Sequence, residues 1–112
     1  MSSFTDPWTI TTITDVTASR SLGTTYTNNT GRTMFCSVSV RHVAAIVGDD
    51  PYISVSVPFG TAIARNGIGL AGGALTTYTT TTFLVPPSST YRVDDSIVSG
   101  GINTLQSWIE AQ

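Results

Sequence analysis

The stretch TMFCSVSVRHV, residues 33–43, alternates Met34, Cys36, Val38 and Val40 with Phe35, Ser37, Ser39 and Arg41. A period of two sends successive side chains to opposite faces of an extended chain, so this pattern predicts a β-strand with one apolar face turned to a core. His42 falls at its end. Just upstream, LGTTYT (22–27) is rich in threonine, whose branched Cβ favours pleated backbone. Between the two lies NNTG (28–31), in which Asn28, Asn29 and Gly31 are residue types that tolerate positive φ. Together the three pieces predict a hairpin with NNTG as its turn.

The same alternation returns in YISVSV (52–57), with Ile53, Val55 and Val57 on one face and Tyr52, Ser54 and Ser56 on the other; residues 48–51 punctuate its start. PFG (58–60) predicts a turn and TAIARNG (61–67) a short strand. The four glycines in residues 66–73 mark a loop. LTTYTTTTFLV (75–85) is a long threonine strand stopped by Pro86 and Pro87, which cannot donate to a ladder. SSTYRV (88–93) reads as a short strand and DDS (94–96) as a turn. INTLQSWIEAQ (102–112) stays open between a helix, from the spacing of Leu105, Trp108 and Ile109, and a closing strand. Seven or eight short strands, with turn signals about every ten residues, predict an all-β fold: an antiparallel β-sandwich, jelly-roll-like or Ig-like. Residues 1–14 form an N-terminal arm or first strand, and 15–112 a single β-sandwich domain.

Composition narrows the function classes. Of 112 residues, 11% are charged, about half the usual share, so serine and threonine hydroxyls must keep the surface wet. Lysine is absent, five arginines carry all the positive charge and the net charge is -2, which leaves no basic stripe for a nucleic-acid backbone. No apolar run approaches the roughly 20 residues of a spanning helix, and MSSFTDPW lacks the features of a signal peptide. The expectation is synthesis in the cytoplasm without membrane insertion. A single cysteine makes no internal disulfide, so stability must come from packing or from association with other chains.

The chemistry-bearing residues have ordinary readings. His42, the lone histidine, lacks the nucleophile turn or cysteine setting that catalysis would need, and is expected partly exposed at a strand end or at an interface. Cys36 lies on the apolar face, where cysteine acts as a small buried hydrophobe. The acidic pairs Asp49-Asp50 and Asp94-Asp95 fall in expected turns, which suit aspartate for local hydrogen bonding; a shared calcium ion or a glycosidase pair are the sharper alternatives. Asn28-Asn29-Thr30 has the form of a glycosylation acceptor but reads as a turn, and Gly72-Gly73 reads as a loop breaker without phosphate-loop context. Trp8 and Trp108, near opposite ends of the chain, could pack at one pole. With Tyr26, Phe59, Tyr78 and Tyr91 they divide between core and a platform for sugar rings or subunits. No catalytic, cofactor-binding or metal-binding residue is assigned.

RSLGTTYTNNTGRTMFCSVSV (20–40) resembles a stretch of tail-fibre and related appendage proteins of tailed bacteriophages. There an arginine and a leucine precede a threonine-rich strand, and Tyr-x-Asn-x-Thr-Gly-Arg/Lys opens an alternating one. Arg20, Leu22, Thr25, Tyr26, Asn28, Thr30, Gly31 and Arg32 carry the match. Thr33 stands where the pattern usually has proline. FLVPPSSTYRV (83–93) is similar to the family's apolar strand, Val-Pro-Pro turn and tyrosine strand, and GGINTLQSWIEAQ (100–112) to its glycine-led close. The resemblance implies a non-enzymatic virion structural domain, frequently a homotrimer. Its partners would be other virion proteins, and, if it helps attach the particle, a host-surface carbohydrate or protein. The rival readings are a capsid decoration or tail accessory protein and, from another class, a small carbohydrate-active enzyme using the aspartate pairs.

Overall fold

A computed structural model describes residues 10–44, 46, 48–67, 75–98 and 101–112. Eight strands follow one another: β1 (Ile13–Asp15), β2 (Thr25–Thr27), β3 (Met34–Ala44), β4 (Asp50–Ser56), β5 (Ala62–Gly67), β6 (Leu75–Val85), β7 (Thr90–Val98) and β8 (Ile102–Ala111). They form two four-stranded antiparallel sheets, β1-β8-β3-β6 (sheet A) and β2-β7-β4-β5 (sheet B). The sandwich expected from the alternation is there.

Its connectivity decides between the two sandwich types. β4 pairs with β5, β3 with β6, β2 with β7 and β1 with β8, each antiparallel. The chain is thus one long nested hairpin, rolled so that β3 also meets β8 and β4 also meets β7. This nesting is the jelly roll, the double-sheet architecture found in viral capsid and lectin domains and in cupins. Its innermost turn is the one read from PFG: Val57 N–H donates to Thr61 O at 3.0 Å and Thr61 N–H to Pro58 O at 2.9 Å.

Strand β3 is the spine of sheet A. Met34, Cys36, Val38 and Val40 are all buried, as the alternation requires, and meet Ile53 and Val55 of β4 and Tyr91 and Val93 of β7 from the facing sheet. Burying each such side chain contributes about 1.5–3 kcal/mol. The inward phase runs on through His42 and Ala44, so His42 is fully buried rather than at an exposed strand end. Polar partners on the neighbouring strands, described below, make that burial tolerable.

Two local readings are corrected and a third, left open, is settled. LGTTYT and TMFCSVSVRHV do not form a hairpin: β2 pairs with β7 in sheet B while β3 lies in sheet A. NNTG is an arch between sheets, held by the buried Asn28 side chain. Its Nδ2 donates to Arg32 O at 2.7 Å and Val85 O at 2.9 Å, and its Oδ1 accepts from the Thr30 N–H at 3.0 Å. Gly31 has the expected positive φ, 76°, whereas Asn29 does not. Second, DDS is no turn; β7 continues through Asp94 and Asp95, which lie opposite Ser54 and Ile53 of β4. Pairing along the whole of β4 overrides the local preference of aspartate for turns. Third, the close of the chain resolves as a strand, since β8 fills the slot between β1 and β3. The loop read over residues 66–73 begins later than expected, because Asn66 and Gly67 end β5; the remainder, with Gly72-Gly73, lies outside the described residues. Trp8 and the arm before Ile10 lie outside them too.

Candidate functional site

The aromatic residues separate cleanly. Trp108 and Tyr91 are fully buried, and Tyr26 packs on both with ring centroids 5.8 Å away. Phe59 and Tyr78 remain exposed. The core aromatics surround a buried carboxylate that the sequence did not single out. Glu110 sits on β8 directly opposite Cys36 and accepts hydrogen bonds from Tyr91 Oη at 2.7 Å, Trp108 Nε1 at 3.1 Å, and Arg20 Nε and Nη2 at 3.0 and 2.9 Å. Arg20 also lies 4.5 Å over the Tyr26 ring. The bonds to Glu110 raise the pKa of Arg20, while burial, reinforced by Glu110, pushes the Cys36 thiol and the Tyr91 phenol well above their ordinary ranges. A thiol held protonated is a poor nucleophile, which agrees with an inert Cys36.

His42 belongs to a second buried network at the other end of β3. Nδ1 lies 2.6 Å from Asn103 Oδ1 and Nε2 2.6 Å from Thr79 Oγ1, while Asn103 Nδ2 donates to Tyr52 O and Ser96 O, tying sheet A to sheet B. Every polar atom of this ring has a structural partner, and Cys36 and the aspartates are not among them. The acidic pairs are not brought together either. Asp50 lies opposite Val98 and Asp95 opposite Ile53, three ladder positions or about 10 Å apart along the strands. Asp49 is buried and accepts from Ile46 N–H at 3.1 Å, Asp50 pairs with Arg65 at 3.2 Å and Asp94 with Arg92 at 2.6 Å. Among the described residues no group of three or more His, Cys, Asp or Glu stands where it could hold a metal ion.

Two surfaces remain. The register builds the outer face of sheet A in rows. Ile13, Ala111, Phe35 and Leu84 lie side by side across all four strands, with Ile13, Phe35 and Leu84 exposed. Ser37 and Thr82, then Ser39 and Thr80, form a hydroxyl band, the latter two bonded at 2.8 Å. Beyond them Arg41 faces Tyr78, and Val43 lies between Ile102 and Thr76. Among the described residues, Arg41 and Asp15 are the charges on this face.

The outer face of sheet B carries a shallow open groove of about 780 Å³. A cross-strand row of Arg65, Ser54 and Asp94 crosses its floor. Gly67, opposite Tyr52, approaches so closely that an added Cβ would come within 2.4 Å of Tyr52 Cβ. The bare glycine leaves the Tyr52 ring open to Arg65, whose guanidinium carbon stacks 3.6 Å above it.

No protein-family model, curated protein or solved structure matches the chain.

Tyr52, Arg65 and Glu110 were missed in the sequence. Period two places the first two outward, but only the register shows that they meet. The carboxylate of Glu110 could have been suspected from its position in an otherwise uncharged strand.

Proposed function

We propose that this chain is a non-enzymatic structural module of a virion, an appendage or tail-fibre domain of a tailed bacteriophage, that assembles as a homotrimer and takes part in host attachment. The observation that carries the reading is the outer face of sheet A. It combines exposed apolar rows at both ends, a hydroxyl band between them and almost no charge, on a chain with few charges anywhere. Exposed apolar rows of that kind mark a surface meant to be covered, and depletion of charge is the compositional sign of an interface core. The jelly-roll topology agrees with the reading, since that architecture recurs in capsid and lectin domains, although fold alone does not assign function. The likeness of residues 20–40 to appendage sequences supplies the phage context.

The rigid sandwich suits the role: both buried networks tie one sheet to the other, so loops and outer faces are displayed on a frame with little freedom. The placement is tested by labelling the protein on intact particles and imaging them. Label on the tail or its fibres supports the appendage reading, and label spread over the head replaces it with capsid decoration.

A further inference from the structure

From the groove on the outer face of sheet B we infer that the protein has a binding site for a neutral saccharide. The inference gives the attachment part of the proposed function a ligand class and rests on that reading for its biological sense. Its geometry is independent of how the chain assembles.

Several polar groups in the groove have bonding capacity to spare. The side chains of Ser54 and Ser96 make no hydrogen bond with another described residue, and Asp94 engages Arg92 through Oδ1 alone, leaving Oδ2 open. Arg65 is fixed by its stacking on Tyr52 and its pair with Asp50, so its guanidinium is presented in one orientation. Neighbouring hydroxyls of a sugar ring donate to carboxylate oxygens and accept from a guanidinium or a serine, which matches this set group by group. The exposed side chain of Ile63 gives an apolar lip on which the C–H face of a ring can rest.

Charge and size narrow the ligand. The charge of Arg65 is answered by Asp50 and that of Asp94 by Arg92, so an anionic ligand finds no unanswered cation to offset its desolvation, while a neutral polyol needs none. The volume lies within the 300–1,000 Å³ span of small-molecule sites and has room for one or two sugar rings. An open, solvated groove of this kind predicts weak affinity at each site, strengthened when several copies act together.

The experiment is an amide chemical-shift titration of the full chain with methyl α-D-glucopyranoside, N-acetylglucosamine and lactose, with glucuronate as the charged control. The expected result is saturable shifts confined to Ser54, Arg65 and Asp94 to Ser96 with at least one neutral sugar. Ser96→Ala, which removes a hydroxyl on the groove face without a partner among the described residues, should weaken the affinity at least about tenfold. Ser54→Ala provides a second variant at a site without structural bonds. The inference is overturned if no neutral sugar saturates up to about 100 mM, if glucuronate binds more tightly than all three, or if both variants bind as the parent does. Failure here leaves the oligomeric state, and with it the assembly reading, untouched.

Discussion

The phenol of Tyr91, on β7 of sheet B, donates a 2.7 Å hydrogen bond to Glu110 Oε2, on β8 of sheet A, across the middle of the sandwich. The same oxygen accepts from Trp108 Nε1, and Arg20 neutralises the carboxylate with two further bonds. A buried charge is tolerable only when its partners are complete. Glu110→Ala strands Arg20 and empties the centre of this network, and should destabilise the protein by about 3–5 kcal/mol. Tyr91→Phe removes one donor and keeps the ring, at about 1–3 kcal/mol. Urea unfolding of both variants checks the order: equal small losses would mean that the network contributes little.

Stability should fall in alkali. The folded-state pKa values of Cys36 and Tyr91 lie above their unfolded values, because burial disfavours both anions. Their contribution is therefore fully present below the unfolded thiol value of about 8.5 and is lost as pH rises above it toward the folded values. Unfolding curves measured from pH 7 to 11 should show this decline, with Cys36→Ala less steep than the parent. The native thiol should resist a disulfide reagent at pH 8 and react at once in denaturant. Rapid labelling of the native protein would contradict the burial of Cys36.

Gly31 should refuse a β-branched residue. Its φ is 76° and an added Cβ would meet nothing within 4 Å, so the cost is that of the backbone alone. Gly31→Val should cost more than about 1 kcal/mol and Gly31→Asn clearly less, since asparagine tolerates the left-handed region. Calorimetric melting of the pair tests this. A Gly31→Val protein as stable as the parent would show that the arch relaxes to another conformation.

His42→Ala should destabilise without any other loss. It removes the partner of Asn103 and Thr79 in a fully buried site, a cost of about 1–3 kcal/mol. Sugar binding and assembly measured well below the melting temperature should match the parent, because His42 lines neither outer face. Loss of either in a fully folded variant would give His42 a role beyond structure.

Much of this molecule was legible in its residues. The alternation of Met34 to Val40 fixed the strand, its face and the burial of Cys36, and the two prolines after Val85 marked the end of β6. What was not legible was long-range. Asn28 suits a tight turn, yet here its side chain closes an arch between sheets. Asp94-Asp95 look like turn residues until β4 supplies a strand to pair with. His42 ends an apolar run, and nothing local reveals that Asn103, sixty-one positions away, completes it. The groove was invisible for the same reason: Tyr52, Arg65 and Asp94 come from three strands, and the antiparallel registers alone bring them together.

If copies of the same chain cover the outer face of sheet A, the protein in solution is an oligomer held through its exposed apolar rows. Multi-angle light scattering at micromolar concentration tests it most directly, on the parent and on Leu84→Glu, which places a charge in the exposed apolar row without touching the core. The parent should show a mass about three times 11.8 kDa and the variant that of a folded monomer. A monomeric parent, or a trimer that Leu84→Glu leaves intact, would contradict it.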